Sequence, residues 1–254
     1  MNRILCYGLL LLCVAGRATA QPNTLTRAER ADGWRLLFDG RSFAGWRGLG
    51  YDSVPSAHWR IANGTIMKIA SGNVPKIADG QPAMGGDLMS VETFRDFELA
   101  WEFRLTPKSN TGVKYNVSEE FSVTHASNHA ALGWEFQLQD DSLGEDIAIL
   151  SHRTGSLYEM IPANAGTLVK SVGRWNSARL VFRGNKGEHW LNGRKVVEFD
   201  ITTPDFAALL AKSKYRTIPG FAERRRGHVI LQDHGDEVYF RSIKVRERPA
   251  NASH

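Results

Sequence analysis

The chain has 254 residues, of which 42% are hydrophobic and 23% are charged, a balance that excludes disordered and multi-span membrane proteins. At this length one large domain and two small ones are both open. A net charge of +5 does not by itself indicate a nucleic-acid partner. Basic residues are dense only at Arg224-Arg225-Arg226, which we interpret as a solvated loop, so we expect no nucleic-acid binding.

The first twenty residues have the layout of a secretory signal peptide. Arg3 supplies positive charge, residues 4–15 are apolar, and Ala18-Thr19-Ala20 provides the small residues of a cleavage site. The apolar run is too short to span a bilayer, which takes about 20 residues. Both cysteines, Cys6 and Cys13, lie in this segment, so a mature chain has neither disulfides nor thiolate sites. We expect a protein exported to a bacterial periplasm or secreted.

Strand patterns then recur at roughly ten-residue intervals, separated by Gly, Asn, Asp and Pro. The clearest is Phe97–Leu105, where large apolar side chains occupy every second position. This period of two predicts an antiparallel strand with one buried face. Similar runs predict strands at 34–38, 58–61, 65–69, 113–117, 134–139, 178–183, 188–191, 196–199, 229–232 and 238–245. Asn63-Gly64 and Asn192-Gly193 are typical of two-residue hairpin turns.

One helix is predicted, where Pro204 and Asp205 precede a run of good helix formers that ends before Tyr215. Many short strands, a single short helix and no βαβ alternation indicate an all-β sandwich of two antiparallel sheets. We expect this sandwich to occupy residues 33–247 as one domain, between an N-terminal lead (21–32) and a C-terminal tail (248–254).

Polar side chains repeat along the predicted strand 134–139. Its apolar residues are expected to point into the sandwich, so Glu135, Gln137 and Gln139 share the outer face, with alternate residues about 7 Å apart. The same alternation puts Gly112 and Lys114 on one face. Taken alone, such a row is more typical of solvated surface than of a binding site.

Polar loops beside these strands favour a site. Residues 151–158 combine an imidazole, a guanidinium and a phenol, in His152, Arg153 and Tyr158. Residues 231–236 end a strand with Gln232, Asp233 and His234, and Asn110 lies in a third loop. Since these loops show no apolar periodicity, packing alone does not account for their composition.

The same segments carry a family resemblance. In chain order the motifs are residues 33–46 (GWRLLFDGRSFAGW), 110–112 (NTG), 134–137 (WEFQ), 152–158 (HRTGSLY), 174–176 (RWN), 189–193 (HWLNG), 231–235 (LQDHG) and 238–246 (VYFRSIKVR). Together they resemble the 3-keto-disaccharide hydrolase domain over about residues 33–247. The resemblance implies a concanavalin-like jelly-roll sandwich, usually exported, that acts on oxidised sugars.

Oxidised sugars allow an unusual cleavage chemistry. When the C3 hydroxyl of a glycoside has become a ketone, the C2 proton is acidic because the anion delocalises onto oxygen as an enolate. The C1 substituent then leaves by β-elimination, and addition of water completes a net hydrolysis. No oxocarbenium ion forms, so the paired carboxylates of ordinary glycosidases are not required.

Three roles must be filled: a base, a group that stabilises the enolate, and an acid for the departing oxygen. We expect Glu135 to be the base and His152 or His234 the acid. The other expected contacts are Asn110, Lys114 or Arg153 at the enolate, Gln137, Tyr158, Gln232 and Asp233 at the sugar, and Trp134 or Trp190 against a pyranose ring.

Three alternatives stay open. A divalent metal ion could polarise the ketone, with Glu135, His152, Asp233 and His234 as ligands, and the sequence neither requires nor excludes it. A non-catalytic carbohydrate-binding module would share the fold but has little use for these ionisable groups. A conventional glycosidase of similar fold would carry Glu-x-x-x-Glu or Glu-x-Asp-x-x-Glu on a strand, and the segment after Glu135 lacks the second carboxylate.

Overall fold

The computed structural model describes residues 21–72, 85–126, 130–143, 147–164 and 166–248. The predicted signal peptide and the tail beyond residue 248 lie outside these residues. Within the described part of the chain, no helix is long and apolar enough to cross a membrane.

The described residues are dominated by short strands, with a few short helices between them. In chain order the strands are β1 Arg35–Leu36, β2 Trp46–Gly48, β3 Trp59–Ala62, β4 Thr65–Lys68, β5 Leu88–Ser90, β6 Phe94–Arg95, β7 Phe97–Leu105, β8 Asn110–Val117, β9 Trp134–Gln139, β10 Asn176–Arg183, β11 Lys186–Leu191, β12 Arg194–Asp200, β13 Arg226–Leu231 and β14 Val238–Glu247. The α-helices are α1 Arg27–Ala31, α2 Glu119–His125 and α3 Pro204–Lys212, and 3₁₀ turns lie at Leu150–His152, Gly166–Leu168 and Lys214–Thr217.

The strands form two antiparallel sheets that pack face to face as a jelly-roll sandwich. An eight-stranded sheet has the order β12-β11-β10-β7-β14-β4-β3, with β1 paired to β14. A six-stranded sheet has the order β2-β5-β13-β8-β9, with β6 paired to β13. Neighbours in each sheet are mostly distant in sequence, so long-range pairing places the residues of the site. The predicted all-β sandwich is confirmed.

The core between the sheets consists of the apolar side chains that alternate along each strand. Trp59, Trp101, Trp134 and Phe136 are all at most 2% exposed, and the edge of Trp101 meets Phe136 with ring centroids 5.1 Å apart. Burying an aromatic side chain contributes about 1.5–3 kcal/mol, so these contacts dominate the stability of the sandwich. The alternation predicted for residues 97–105 is confirmed.

Local signals account for the turns. Asn63 and Gly64 have φ angles of 51° and 70°, and Asn192 and Gly193 have φ angles of 48° and 87°. Positive φ at both central residues is the type I′ geometry that matches strand twist, and Asn-Gly adopts it with little strain. Both predicted hairpins are confirmed.

The prediction of a single helix was wrong. Helix α3 is present as expected, but α1 and α2 also form. Helix α1 lies in the predicted N-terminal lead, where Thr26 and Glu29 make a reciprocal capping box. Helix α2 is capped by Ser118, whose side chain accepts a hydrogen bond from the backbone N–H of Phe121. Both helices are too short to show a helical period, so only their caps indicate them.

One core histidine connects the sandwich to the loop that follows β9. His189 on β11 is fully buried, and its Nδ1 lies 3.0 Å from the Gly155 carbonyl while its Nε2 lies 3.0 Å from the Tyr115 hydroxyl. The carbonyl can only accept, so Nδ1 donates to Gly155 and Nε2 accepts from Tyr115. Burial lowers the pKa of His189 to about 4. The imidazole is therefore neutral and anchors the loop at Gly155.

This histidine makes stability depend on pH. An unfolded chain protonates His189 near pH 6.5, whereas the folded protein does so only near pH 4, so its contribution is complete above 6.5 and is lost as pH falls toward 4. The loss amounts to about 3 kcal/mol of unfolding free energy. Replacing His189 with Gln, which does not titrate, should flatten this part of the profile in urea titrations between pH 7 and 4. An unchanged slope would show that another group causes it.

Candidate active site

The outer face of the six-stranded sheet carries a row of polar groups. Glu135 and Gln137 on β9 lie opposite Lys114 and Gly112 on β8, as the predicted alternation requires. As whole residues, Glu135, Lys114 and Gln137 are at most 4% exposed, although they point away from the core. Residues 155–158 extend the sheet beyond β9 through backbone hydrogen bonds, and side chains from three loops line the space in front of Glu135 and Gln137. The row is thus an enclosed polar floor and not the solvated surface that its pattern alone suggests.

A cleft opens above this floor, and its enclosed volume is only about 10 Å³. It is lined by Asn110, Glu135, Gln137, Tyr158, Lys214, Gln232 and His234. The first three come from β8 and β9, and the others come from the loops that follow β9, α3 and β13. Ligand pockets usually measure about 300–1,000 Å³, so most of a bound sugar would lie outside the enclosed part of this cleft. Six of the residues predicted from the sequence meet here.

Glu135 lies directly over Gly112. A Cβ atom built on Gly112 would come within 2.2 Å of the Glu135 Oε1 atom, so only glycine leaves room for the carboxylate. The Lys114 Nζ lies 3.8 Å from Glu135 Oε2 and donates to the Ala131 carbonyl at 3.1 Å. A buried ammonium at this distance favours the ionised carboxylate. Glu135 is therefore presented at the cleft as a carboxylate held between a glycine and a lysine.

Tyr158 and Lys214 form a second pair in the cleft. Lys214 was missed by the sequence analysis, since it lies in a 3₁₀ turn without periodic pattern. Its Nζ lies 3.5 Å from the Tyr158 hydroxyl oxygen and 4.5 Å from the ring centroid. Among the described residues that line the cleft, Lys214 is the only lysine or arginine. Lys114 and Arg153, two of the residues expected at the enolate, are not among the described residues that line the cleft.

His152 lies behind Tyr158 and does not line the cleft. Its ring packs against Tyr158 with centroids 4.5 Å apart and a tilt of 35° between the planes, and its Nε2 lies 3.2 Å from Glu159 Oε1. The hydrogen bond from His152 outweighs burial and lowers the pKa of Glu159. Of the two imidazoles expected to act as the acid, only His234 reaches the cleft.

Asp233 belongs to a buried ionic cluster and not to the cleft. Its Oδ1 atom lies 2.8 Å from the Lys68 Nζ and its Oδ2 atom lies 2.5 Å from the His58 Nδ1, and its side chain is fully buried. Burial alone would raise its pKa, but the contacts with His58 and Lys68 hold the pKa below the usual value. A Cβ atom on Gly86 would lie 2.3 Å from Asp233 Oδ2. The expected contact of Asp233 with sugar is therefore replaced by a structural ion pair.

This cluster continues toward Glu135 through Asp87. The Asp87 Oδ1 atom accepts the backbone N–H of Asp233 at 2.8 Å, and its other oxygen accepts the N–H of Ala131 at 2.9 Å. Burial raises the pKa of Asp87, and the Lys114 charge opposes that rise. A connected set of charged groups therefore runs from Lys68 on β4 to Glu135 on β9, with the two aspartates adjacent and a lysine on either side of them.

Three other expected contacts do not reach the cleft. Trp134 is 2% exposed and packs edge-on against Phe206 and Phe221, so it is a core residue and cannot stack on a sugar. Trp190 lies on the eight-stranded sheet, where Arg179 covers its ring at 4.2 Å. Arg153 is exposed and donates to the Ile147 carbonyl at 2.8 Å.

The expected metal ligands are not gathered. Asp233 is held by Lys68, and His152 lies behind Tyr158, as described above. Within the described parts of the chain, no group of three or more His, Cys, Asp or Glu side chains could hold a metal ion. The arrangement of Glu135, His152, Asp233 and His234 therefore does not fit a metal centre.

Comparison with known proteins identifies the family. Residues 33–246 match the model of the 3-keto-alpha-glucoside-1,2-lyase-like domain. The chain belongs to this carbohydrate hydrolase family. A protein of Bacteroides thetaiotaomicron named 3-keto-disaccharide hydrolase is 32% identical over 248 residues, which cover 89% of this chain and 82% of that protein.

Two solved structures from Parabacteroides distasonis, both candidate glycosyl hydrolases, share the fold. The first is 27% identical with a TM-score of 0.76, and the match covers 90% of this chain and all 100% of that one. The second is 23% identical with a TM-score of 0.64, covers 85% and 99% of the two chains, and bears on the fold alone.

The ion pair of Asp233 and Lys68 gives a stability prediction. Asp233→Asn leaves a buried ammonium without its counter-charge, and the free energy of unfolding should fall by about 3–5 kcal/mol. Urea denaturation at pH 7 measures the loss. Glu198→Gln is the matched control, because Glu198 pairs with Lys195 at a side-chain exposure of 63% and should lose under about 1 kcal/mol. A loss under 1 kcal/mol in the Asp233 variant would contradict the assignment.

Proposed function

We propose that this protein is an exported enzyme that cleaves the glycosidic bond of 3-keto-glycosides by C2 deprotonation, β-elimination and hydration. The family and the name of the Bacteroides thetaiotaomicron relative support the substrate class. The observation that carries the mechanism is the make-up of the cleft. Glu135 is the only carboxylate among the described residues that line it.

A single carboxylate suits elimination better than conventional glycoside hydrolysis. Most glycosidases need two carboxyl groups, about 5–5.5 Å apart in retaining enzymes and about 6.5–9.5 Å apart in inverting ones. Removal of an acidified C2 proton needs one base with donors around it. Glu135 takes that proton, and the electron pair of the C2–H bond moves onto the ketone oxygen as an enolate.

Neutral and cationic donors around Glu135 complete the site. Gln232 and His234 follow β13 on one side of the cleft, and Asn110 lies at the start of β8. The Gln137 Nε2 donates to the Asn110 Oδ1 at 2.9 Å, which fixes both amides. His234 is assigned to the enolate oxygen and the amides to sugar hydroxyls. One well-placed oxyanion donor contributes about 3 kcal/mol.

A non-catalytic binding module is the second candidate. Its weakness is that the described lining of the cleft contains no tryptophan and a single aromatic ring, that of Tyr158, because Trp134 is buried and Trp190 lies on the other sheet. An enclosed carboxylate beside an ammonium is costly for a protein that only binds neutral sugar. These features favour catalysis.

The signal-peptide pattern of the first twenty residues supports the proposal of export to the periplasm or the medium. Amino-terminal sequencing of protein recovered from the periplasm should begin at Gln21. Recovery of the intact chain from the cytoplasm would contradict export.

The activity is tested by incubating the protein with a glucoside and its 3-keto derivative side by side. We expect only the keto compound to be cleaved. Equal cleavage of both would indicate a conventional glycosidase, and cleavage of neither would indicate a binding module.

The role of Glu135 as the base is tested by two variants that act on the same carboxylate. Glu135→Gln should lower kcat on the 3-keto-glucoside about 10²–10⁴-fold, because the amide cannot accept the proton. Gly112→Ala leaves the Glu135 side chain unaltered but forces its carboxylate to move, and should lower kcat at least tenfold. The matched control is Glu188→Gln on the eight-stranded sheet, where Glu188 accepts from Trp190 at 2.7 Å. Unchanged turnover in the Glu135 variant would remove this residue as the base.

A further inference from the structure

Elimination from C1 leaves one role that neither Glu135 nor His234 fills in the proposed reaction. The aglycone oxygen departs with the electron pair of the C1–O bond and must take up a proton. His152, one of the two expected acids, lies outside the cleft. The described residues that line the cleft include one more group with a transferable proton on oxygen, the phenol of Tyr158.

The surroundings of Tyr158 are built from charged groups on three elements. Lys214, from the turn after α3, lies 3.5 Å from the phenol oxygen. His152 packs against the ring, and Glu159 binds His152. Glu135 is adjacent on β9, since the Tyr158 backbone N–H donates to the Glu135 carbonyl at 3.1 Å. His234 lines the same cleft. Tyr158 is therefore next to the base and in contact with an ammonium.

The backbone beside Tyr158 is held in a costly conformation. Glu159 has a φ of 68°, in the left-handed region that non-glycine residues rarely adopt. Such a conformation persists only where the surroundings fix it. In this conformation Glu159 contacts His152, and the His152 ring packs against Tyr158.

A contrasting tyrosine lies close by. Tyr215 neighbours Lys214 but is 6% exposed and stacks on Phe221 at 4.0 Å. Burial raises the pKa of Tyr215 well above its usual value, and the nearby Glu135 and Tyr158 add to the rise. Tyr215 therefore stays protonated and does not exchange a proton with substrate. Of the two phenols near Lys214, the one that lines the cleft is Tyr158.

From this geometry we infer that Tyr158 is the proton donor to the leaving group and that Lys214 is the positioning residue that stabilises its phenolate. The inference rests on the proposed function and adds to it the group that decides which aglycones can leave. An ammonium in contact with a phenol favours the charged form, so it lowers the cost of proton loss.

The step balances as follows. The enolate collapses, the C3 carbonyl re-forms, a C1–C2 double bond forms and the C1–O bond breaks. The departing oxygen takes the phenol proton, and Tyr158 is left as a phenolate beside Lys214. In the hydration half, the phenolate accepts a proton from the water that adds to C1, and Glu135 returns its proton to C2. Both residues end in their starting states.

Dependence on the leaving group tests this role. A nitrophenolate departs without protonation, whereas a methoxide does not. Tyr158→Phe should therefore lower kcat/KM on a methyl 3-keto-glucoside about 10²–10³-fold and on the nitrophenyl 3-keto-glucoside less than about fivefold. Lys214→Met should show the same pattern at about tenfold, and Lys214→Arg should recover most of the activity.

The control is Tyr239→Phe, a phenol on β14 of the other sheet, which should leave both rates unchanged. Equal losses on the two substrates in Tyr158→Phe, or no loss on either, would overturn the assignment while leaving the proposed function standing. Failure of the unaltered protein to cleave either keto-glucoside would remove the proposed function and this inference with it.

Discussion

The site depends on one electrostatic constraint, a carboxylate and an ammonium buried together on the outer face of a sheet. Glu135 and Lys114 occupy opposed positions on β9 and β8 and are nearly inaccessible to solvent. Neither charge could be kept there alone, because an unpaired buried ion costs several kcal/mol. Gly112 makes the arrangement possible, since any side chain at that position would occupy the space of the carboxylate.

The same constraint extends through the molecule and connects the two sheets. Lys114 interacts with Asp87, which accepts the backbone N–H of Asp233, and Asp233 pairs with Lys68 of the eight-stranded sheet. The polar floor and the sandwich are thus connected by one set of charged groups, in which Lys114 and Lys68 flank the two adjacent aspartates. Because Gln232 and His234 flank Asp233 in sequence, the ion pair with Lys68 also sets where these two cleft residues lie.

The sequence predicted those features that depend on the two-residue repeat of a strand or on the residues of a single turn. It placed Glu135 and Gln137 on one face of their strand, placed Gly112 and Lys114 on one face of theirs, and located both Asn-Gly hairpins. It did not predict Lys214, because the position of that residue is set by the packing of Tyr215 on Phe221 and not by any repeat. The prediction for Trp134 was wrong because a ring that alternation directs inward is not available to a ligand in a core this dense.

The topology accounts for how a small cleft could serve the elimination proposed above. The strand order β13-β8-β9 places Gln232 and His234 on one side of β8, and Glu135 and Tyr158 on the other. Neighbouring strands are about 4.8 Å apart, so the backbones of β13 and β9 are about 10 Å apart, and residues 155–158 lie about one spacing further out. During elimination, negative charge moves from the base to the enolate oxygen and then to the leaving oxygen. Donors placed on both sides of a single carboxylate can follow that movement without any rearrangement of the sheet.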